Sequence, residues 1–77
     1  LDVHEEIVRF KNHLKNLLSF LSLKEIEKGK RIDFTLQELS REINTITSKC
    51  ADSTISAHAI NIKVELEKAR EQTQNIV

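Results

Sequence analysis

Seventy-seven residues are enough for one small domain, and a chain this short buries a smaller share of its surface than a larger one does. Twelve basic residues balance twelve acidic ones, so no global field draws the chain to nucleic acid or to an anionic membrane, and any such contact has to come from a local patch. The single cysteine, Cys50, excludes an internal disulfide and a cysteine-based zinc site and is compatible with a reducing cytosol. No apolar run approaches the roughly 18 to 20 residues of a membrane span, and no signal-peptide pattern is visible, so the expectation is a soluble, cytoplasmic protein without membrane contact. The first residue is Leu rather than Met, which reads as a piece of a longer or processed chain.

In chain order, the first element opens at "DVHE", Asp2 to Glu5, a capping box with Asp in the cap position and Glu5 placed to reach back. The apolar residues Val3, Ile7, Phe10, Leu14, Leu17 and Leu21 then alternate steps of four and three, which is the heptad pattern of an amphipathic helix over about 3–22. "SLKEIEKGK" loses that stripe, and its Gly29 could break one helix or open the next, so a loop is predicted within 23–29. Ile32, Leu36, Leu39, Ile43, Ile46 and Cys50 form a second stripe and predict a helix over about 30–50. From Cys50 to Ile55 the step is five, and "ADST" offers Asp52 or Ser53 as an N-cap, so a short turn is predicted there. The alternative is one long helix with a stutter, whose extended stripe would use Ser53, Ala57, Ile60 and Val64. A third stripe, Ile55, Ala59, Ile62, Leu66, Ala69, Thr73 and Ile76, predicts a helix over about 53–76.

The expected fold is therefore all-α, a single domain over 1–77 in which three long helices of about 30 Å bury their stripes in an antiparallel bundle or coiled-coil-like arrangement. Leu18, Phe20, Phe34, Ile60 and Val64 lie off the stripes and point to contacts beyond the domain, with a further domain or with copies of itself.

On a helical wheel of about 100° per residue, Asp33, Asn44, Gln37, Ser48 and Arg41 occupy one arc beside the second stripe. Glu38, Thr45, Lys49 and Glu42 follow on the far side. Asn44, Thr45, Thr47 and Ser48 are poor helix formers, an odd choice for a face whose only task is solubility. A solvated polar face remains the commoner explanation, with a polar interface or a ligand-binding face behind it. Helix three ends in a similar crowd, with Glu67, Arg70, Glu71 and Gln74 on one side of its stripe. Glu67 and Glu71 are like-charged and one turn apart, so they call for a cation between them.

Three stretches, "GKRIDFTLQELSREINTITSK" with "KVELEKAREQTQNI" behind it and "EEIVRFKNHL" ahead, closely resemble the C-terminal domain of the bacterial YicC family. The resemblance covers nearly the whole chain. Its departures are the Lys30-Arg31 order, Ser40 where the family has Asn, and Thr47 where it has Gly. The resemblance implies a cytoplasmic bacterial endoribonuclease, once described as stress-induced, that works as a homo-oligomer, a hexamer by that likeness, with a divalent metal. It implies RNA rather than DNA as the partner, and an N-terminal domain that this chain does not contain.

Cleavage of structured RNA needs cations for the phosphate, a group that activates water or the ribose 2′-OH, and a means of stabilising the leaving oxygen. Under that resemblance Arg31, Arg41, Lys49 and Arg70 are the candidate RNA-binding cations. Glu38, Glu42 and Glu71 are candidates both for catalysis and for holding a hard Mg²⁺ or Mn²⁺ ion. Asp33, Gln37, Asn44, Gln74 and Asn75 are the supporting polar residues. His13 matches a histidine of the family pattern and is a candidate general acid or base, although a histidine beside an apolar stripe is more often a packing residue. His4 and His58 match no motif and read as surface residues. With three Phe and neither Trp nor Tyr, base stacking is expected to contribute little. The competing expectation is a helical oligomerisation and RNA-clamping module, with the chemistry in the missing domain or across subunits.

Overall fold

The computed structural model describes residues 2–21 and 28–76, with side chains as far as residue 74. Three α-helices account for nearly all of them: α1 is His4–Leu21, α2 is Lys28–Lys49 and α3 is Ser53–Ile76. Among the described residues there is no strand. Asp2 Oδ1 accepts from the His4 amide at 2.9 Å, which caps α1 as expected. The reciprocal half of the box is not made, because Glu5 turns instead to Arg9 at 3.6 Å. The second helix begins earlier than the stripe alone predicts. Gly29 lies inside the first turn of α2 with an ordinary negative φ and breaks nothing. The rest of the expected loop lies outside the described residues.

Between α2 and α3 the short turn forms and the continuous helix does not. Asp52 Oδ1 accepts from the amides of Thr54 and Ile55 at 2.8 and 3.0 Å. That carboxylate satisfies two of the orphan N–H groups at the start of α3, and its charge suits the positive end of the helix.

Neighbouring helices are antiparallel, since the start of α1 meets the end of α2 (Glu6 with Lys49) and the start of α2 meets the end of α3 (Asp33 with Arg70). The central helix is α2. It packs against both others, whereas among the described residues no Cα of α1 comes within 8 Å of one in α3. The result is an elongated body of 41 × 21 × 14 Å.

This arrangement decides how much of each stripe is covered. Ile32, Leu36 and Leu39 of α2 are buried, Leu39 completely, beneath Phe10, Leu17 and Phe20 from one side and Leu66 and Ala69 from the other, and Ile43 is buried as well. On the outer helices each stripe is covered only in part. Ile7, Leu14 and Leu21 of α1 and Ile55 and Ile62 of α3 stay exposed, because α1 and α3 do not close on each other. Of the off-stripe residues, Phe20 packs on the core, while Leu18, Phe34, Ile60 and Val64 are exposed. No helix among the described residues is long and apolar enough to cross a membrane.

Candidate functional site

Opposite its buried stripe, α2 presents a second row at the same spacing: Lys30, Phe34, Gln37, Arg41, Asn44 and Ser48, every one of them exposed. Steps of four and three keep this row on one side of the helix, as they do the apolar one. Beside the row, where α3 packs, lie two adjoining grooves that share Gln37. One, of about 490 Å³, is lined by Gln37, Ser40, Arg41, Asn44, Ser48 and Arg70, among others. The other, of about 280 Å³, includes Gly29, Asp33, Gln37, Thr73 and Gln74. The polar arc read from the sequence is thus the wall of a groove, with Arg70 and Gln74 facing it from α3.

Not every polar residue in that wall is free to act. Thr45 donates to the Arg41 carbonyl, Thr47 to that of Ile43, and Ser48 to that of Thr45, at 2.8 to 3.1 Å. Side-chain bonds back to the preceding turn explain how these poor helix formers are tolerated in α2. Asp33 and Gln37 hold one another, Gln37 Nε2 donating to Asp33 Oδ2 at 2.9 Å. Asp33 also accepts from Arg70 Nε at 3.2 Å, and Arg70 reaches Glu67 at 3.3 Å. Arg70 is therefore the cation beside Glu67, the first member of the Glu67 and Glu71 pair. Asp33, its strongest influence, raises its already high pKa and keeps it charged. Arg41, by contrast, is largely exposed, with Glu38 at 3.7 Å as its ion-pair neighbour.

Glu42 and Lys49 belong to a different place, the seam between α1 and α2. Glu6 is 1% exposed and Glu42 is 6% exposed. Lys49 Nζ donates to Glu6 at 2.6 Å, and Arg9 Nε donates to both oxygens of Glu42 at 3.1 Å. Arg9 also stands 3.9 Å from Glu6, so one guanidinium serves two buried carboxylates. Lys49 holds the Glu6 carboxyl below the usual range, and Glu6 in turn raises Lys49; the Glu42 carboxylate raises Arg9. Neither Glu6 nor Arg9 is among the sequence-derived candidates. The signal was present, since Glu6 and Glu42 both directly precede a stripe residue at the same heptad position, as does Lys49, and charges flanking a heptad seam pair across it.

His13 and Arg31 stand apart from the α2–α3 groove, in a third groove on the α1 side. Glu71 is exposed on α3, and the Asn75 side chain lies outside the described residues. Among the described residues no group of three His, Cys, Asp or Glu converges to hold a metal ion. Glu38, Glu42 and Glu71 therefore do not form one metal site within a single chain, and both oxygens of Glu42 are already engaged.

The family model described as "Endoribonuclease YicC-like, C-terminal" matches residues 1–77. The chain belongs to the YicC-like endoribonuclease family, as its C-terminal domain. It is 49% identical over 74 residues to the probable endoribonuclease YicC of Clostridioides difficile, covering 96% of this chain and 25% of that protein. The probable endoribonuclease YicC of Haemophilus influenzae is 42% identical over 76 residues, covering 99% of this chain and 26% of its own length. The chain thus spans about a quarter of these YicC relatives. No solved structure matches it. Of the three departures from the YicC pattern, all on α2, Ser40 lines the larger groove, Thr47 is bonded back into its own helix, and Lys30 and Arg31 line the groove on the α1 side.

Proposed function

We propose that this domain is the RNA-holding part of an endoribonuclease acting on structured RNA, with phosphate contacts running along the α2–α3 groove. The observation that carries the reading is the exposed row of α2, where Arg41 projects between Gln37 and Asn44 while Arg70 closes the groove from α3. A guanidinium with open donors suits a phosphate, and Gln37 and Asn44 suit the 2′-OH groups of an RNA minor groove. Arg70 has a double role in this reading: it pins α3 to Asp33 and adds positive charge to the groove wall.

The chemistry is proposed to be completed by residues outside this chain. This second reading is favoured by the absence of a three-ligand cluster among the described residues and by the engagement of Glu42 with Arg9. Of Glu38, Glu42 and Glu71, Glu38 is the carboxylate that borders the Arg41 row, and it is the one proposed to face the reaction, with Mg²⁺ or Mn²⁺. Self-association and a cytoplasmic location are proposed with it, the first supported by the exposed apolar rows of α1 and α3.

The test is cleavage of one hairpin RNA by the full-length protein, with and without chelator, beside the 77-residue domain alone. The full-length protein should cut and lose activity with chelator, while the domain binds without cutting. Cleavage by the domain alone would place the chemistry inside it and remove the second reading. A full-length protein that neither binds nor cuts RNA would remove the first.

A further inference from the structure

Two of the chain's three phenylalanines, far apart in sequence, meet in the groove between α1 and α2. It has a volume of about 440 Å³, and its wall includes His13, Asn16, Phe20, Lys30, Arg31 and Phe34. Among the described residues no carboxylate lines it. Arg31 lies over the Phe20 ring, 5.9 Å from its centroid, so that ring face is covered by a guanidinium. Phe34 is the aromatic left open: it is 62% exposed, on a helix row whose other members are all polar.

We propose that this groove takes one unpaired nucleotide of the bound RNA, its base stacked on Phe34 and its phosphate held by Lys30 and Arg31. The inference rests on the RNA-binding reading above and adds to it the feature of the RNA that is recognised. Four observations favour a nucleotide over an apolar protein side chain. Among the described residues the wall carries Lys30 and Arg31 and no anion, which suits a phosphodiester and gives an aliphatic residue nothing. An open π face accepts any base. Asn16 and His13 add polar groups at the wall for the edge of a base. Finally, Lys30 and Phe34 also line the smaller α2–α3 groove, so one strand laid along the α2 row reaches both places. Counting aromatic residues suggested little stacking; their placement concentrates two of the three rings at one point.

The experiment uses the full-length protein and two probes, a hairpin RNA with 2-aminopurine at a single unpaired loop position and a fully paired duplex of the same length. Affinity is read by anisotropy and stacking by quenching of the 2-aminopurine, for wild type, Phe34→Leu, Phe34→Trp and Lys30→Gln. Leucine keeps apolar bulk but has no π face, and tryptophan restores one. Wild type should quench the probe. Phe34→Leu should abolish quenching and weaken hairpin binding about five- to a hundredfold, well beyond its effect on the duplex. Phe34→Trp should retain both signals, and Lys30→Gln should weaken the hairpin more than the duplex. If Phe34→Leu binds and quenches as wild type while Arg41→Gln weakens binding, the nucleotide site is wrong and the RNA-holding domain stands. If Phe34→Leu alters only the size of the assembly, the groove is a protein contact and the proposal fails. If wild type binds neither RNA, both readings fail together.

Discussion

Arg41 and Arg70 carry the same charge and line the same groove, yet their partners give them different work. Arg70 is committed to Asp33 and Glu67 and joins two helices, whereas Arg41 is largely exposed beside Glu38. Arg70→Gln should therefore lower the urea midpoint of the domain, because it strips the partner from Asp33 at a helix interface. Arg41→Gln should leave stability within about 0.5 kcal/mol, as an exposed surface change does. The Glu6 and Lys49 pair makes a prediction about pH. Lys49 holds the folded Glu6 carboxyl below its unfolded value, so this contribution is present above the ordinary carboxylate range and is lost as pH falls through the lowered folded value. The raised Lys49 gives the opposite limb: its contribution is present below the ordinary lysine pKa and is lost as pH rises through the folded value. A Tm-against-pH curve should be flat near neutrality and fall in acid. Glu6→Gln should lower the neutral plateau and shrink the acid fall; an unchanged acid limb would show that the pair does not control it.

At the scale of the helices, two features account for most of the order. Asp52 starts α3 by accepting two amides, and Asp52→Ala should cost about 0.5 to 2 kcal/mol in urea unfolding. Leu39 is fully buried where α1 and α3 both press on α2, and Leu39→Ala should cost about 2 to 5 kcal/mol, a large share of what so small a domain has. The heptad steps made these helices legible in the sequence, and the five-residue step at Cys50 marked the turn, because each is a local rule. Gly29 left the start of α2 open, because a glycine inside a first turn looks the same in sequence as one that ends a helix. The exposure of Ile7, Leu14 and Ile62 was not legible either: a stripe states that a helix has an apolar face, and only the placement of α1 relative to α3 decides whether that face is covered. The site divides the same way. Gln37, Arg41 and Asn44 share an arc that a wheel shows directly, while the capture of Glu42 by Arg9 depends on which helix lies beside it.

Taken as a whole, the molecule separates its charges by task despite a net charge of zero. The α1–α2 seam uses Glu6, Arg9, Glu42 and Lys49 to hold helices together, and the α2–α3 side exposes a row able to meet phosphate. The family membership covers the whole chain, and the chain spans about a quarter of its relatives. The most direct test is the affinity of the full-length protein for one hairpin RNA at several salt concentrations, for wild type and Arg41→Gln. The α2–α3 groove predicts weaker binding by the variant and a salt slope smaller by about 1, the loss of one phosphate contact. Equal affinity and equal slope would contradict it.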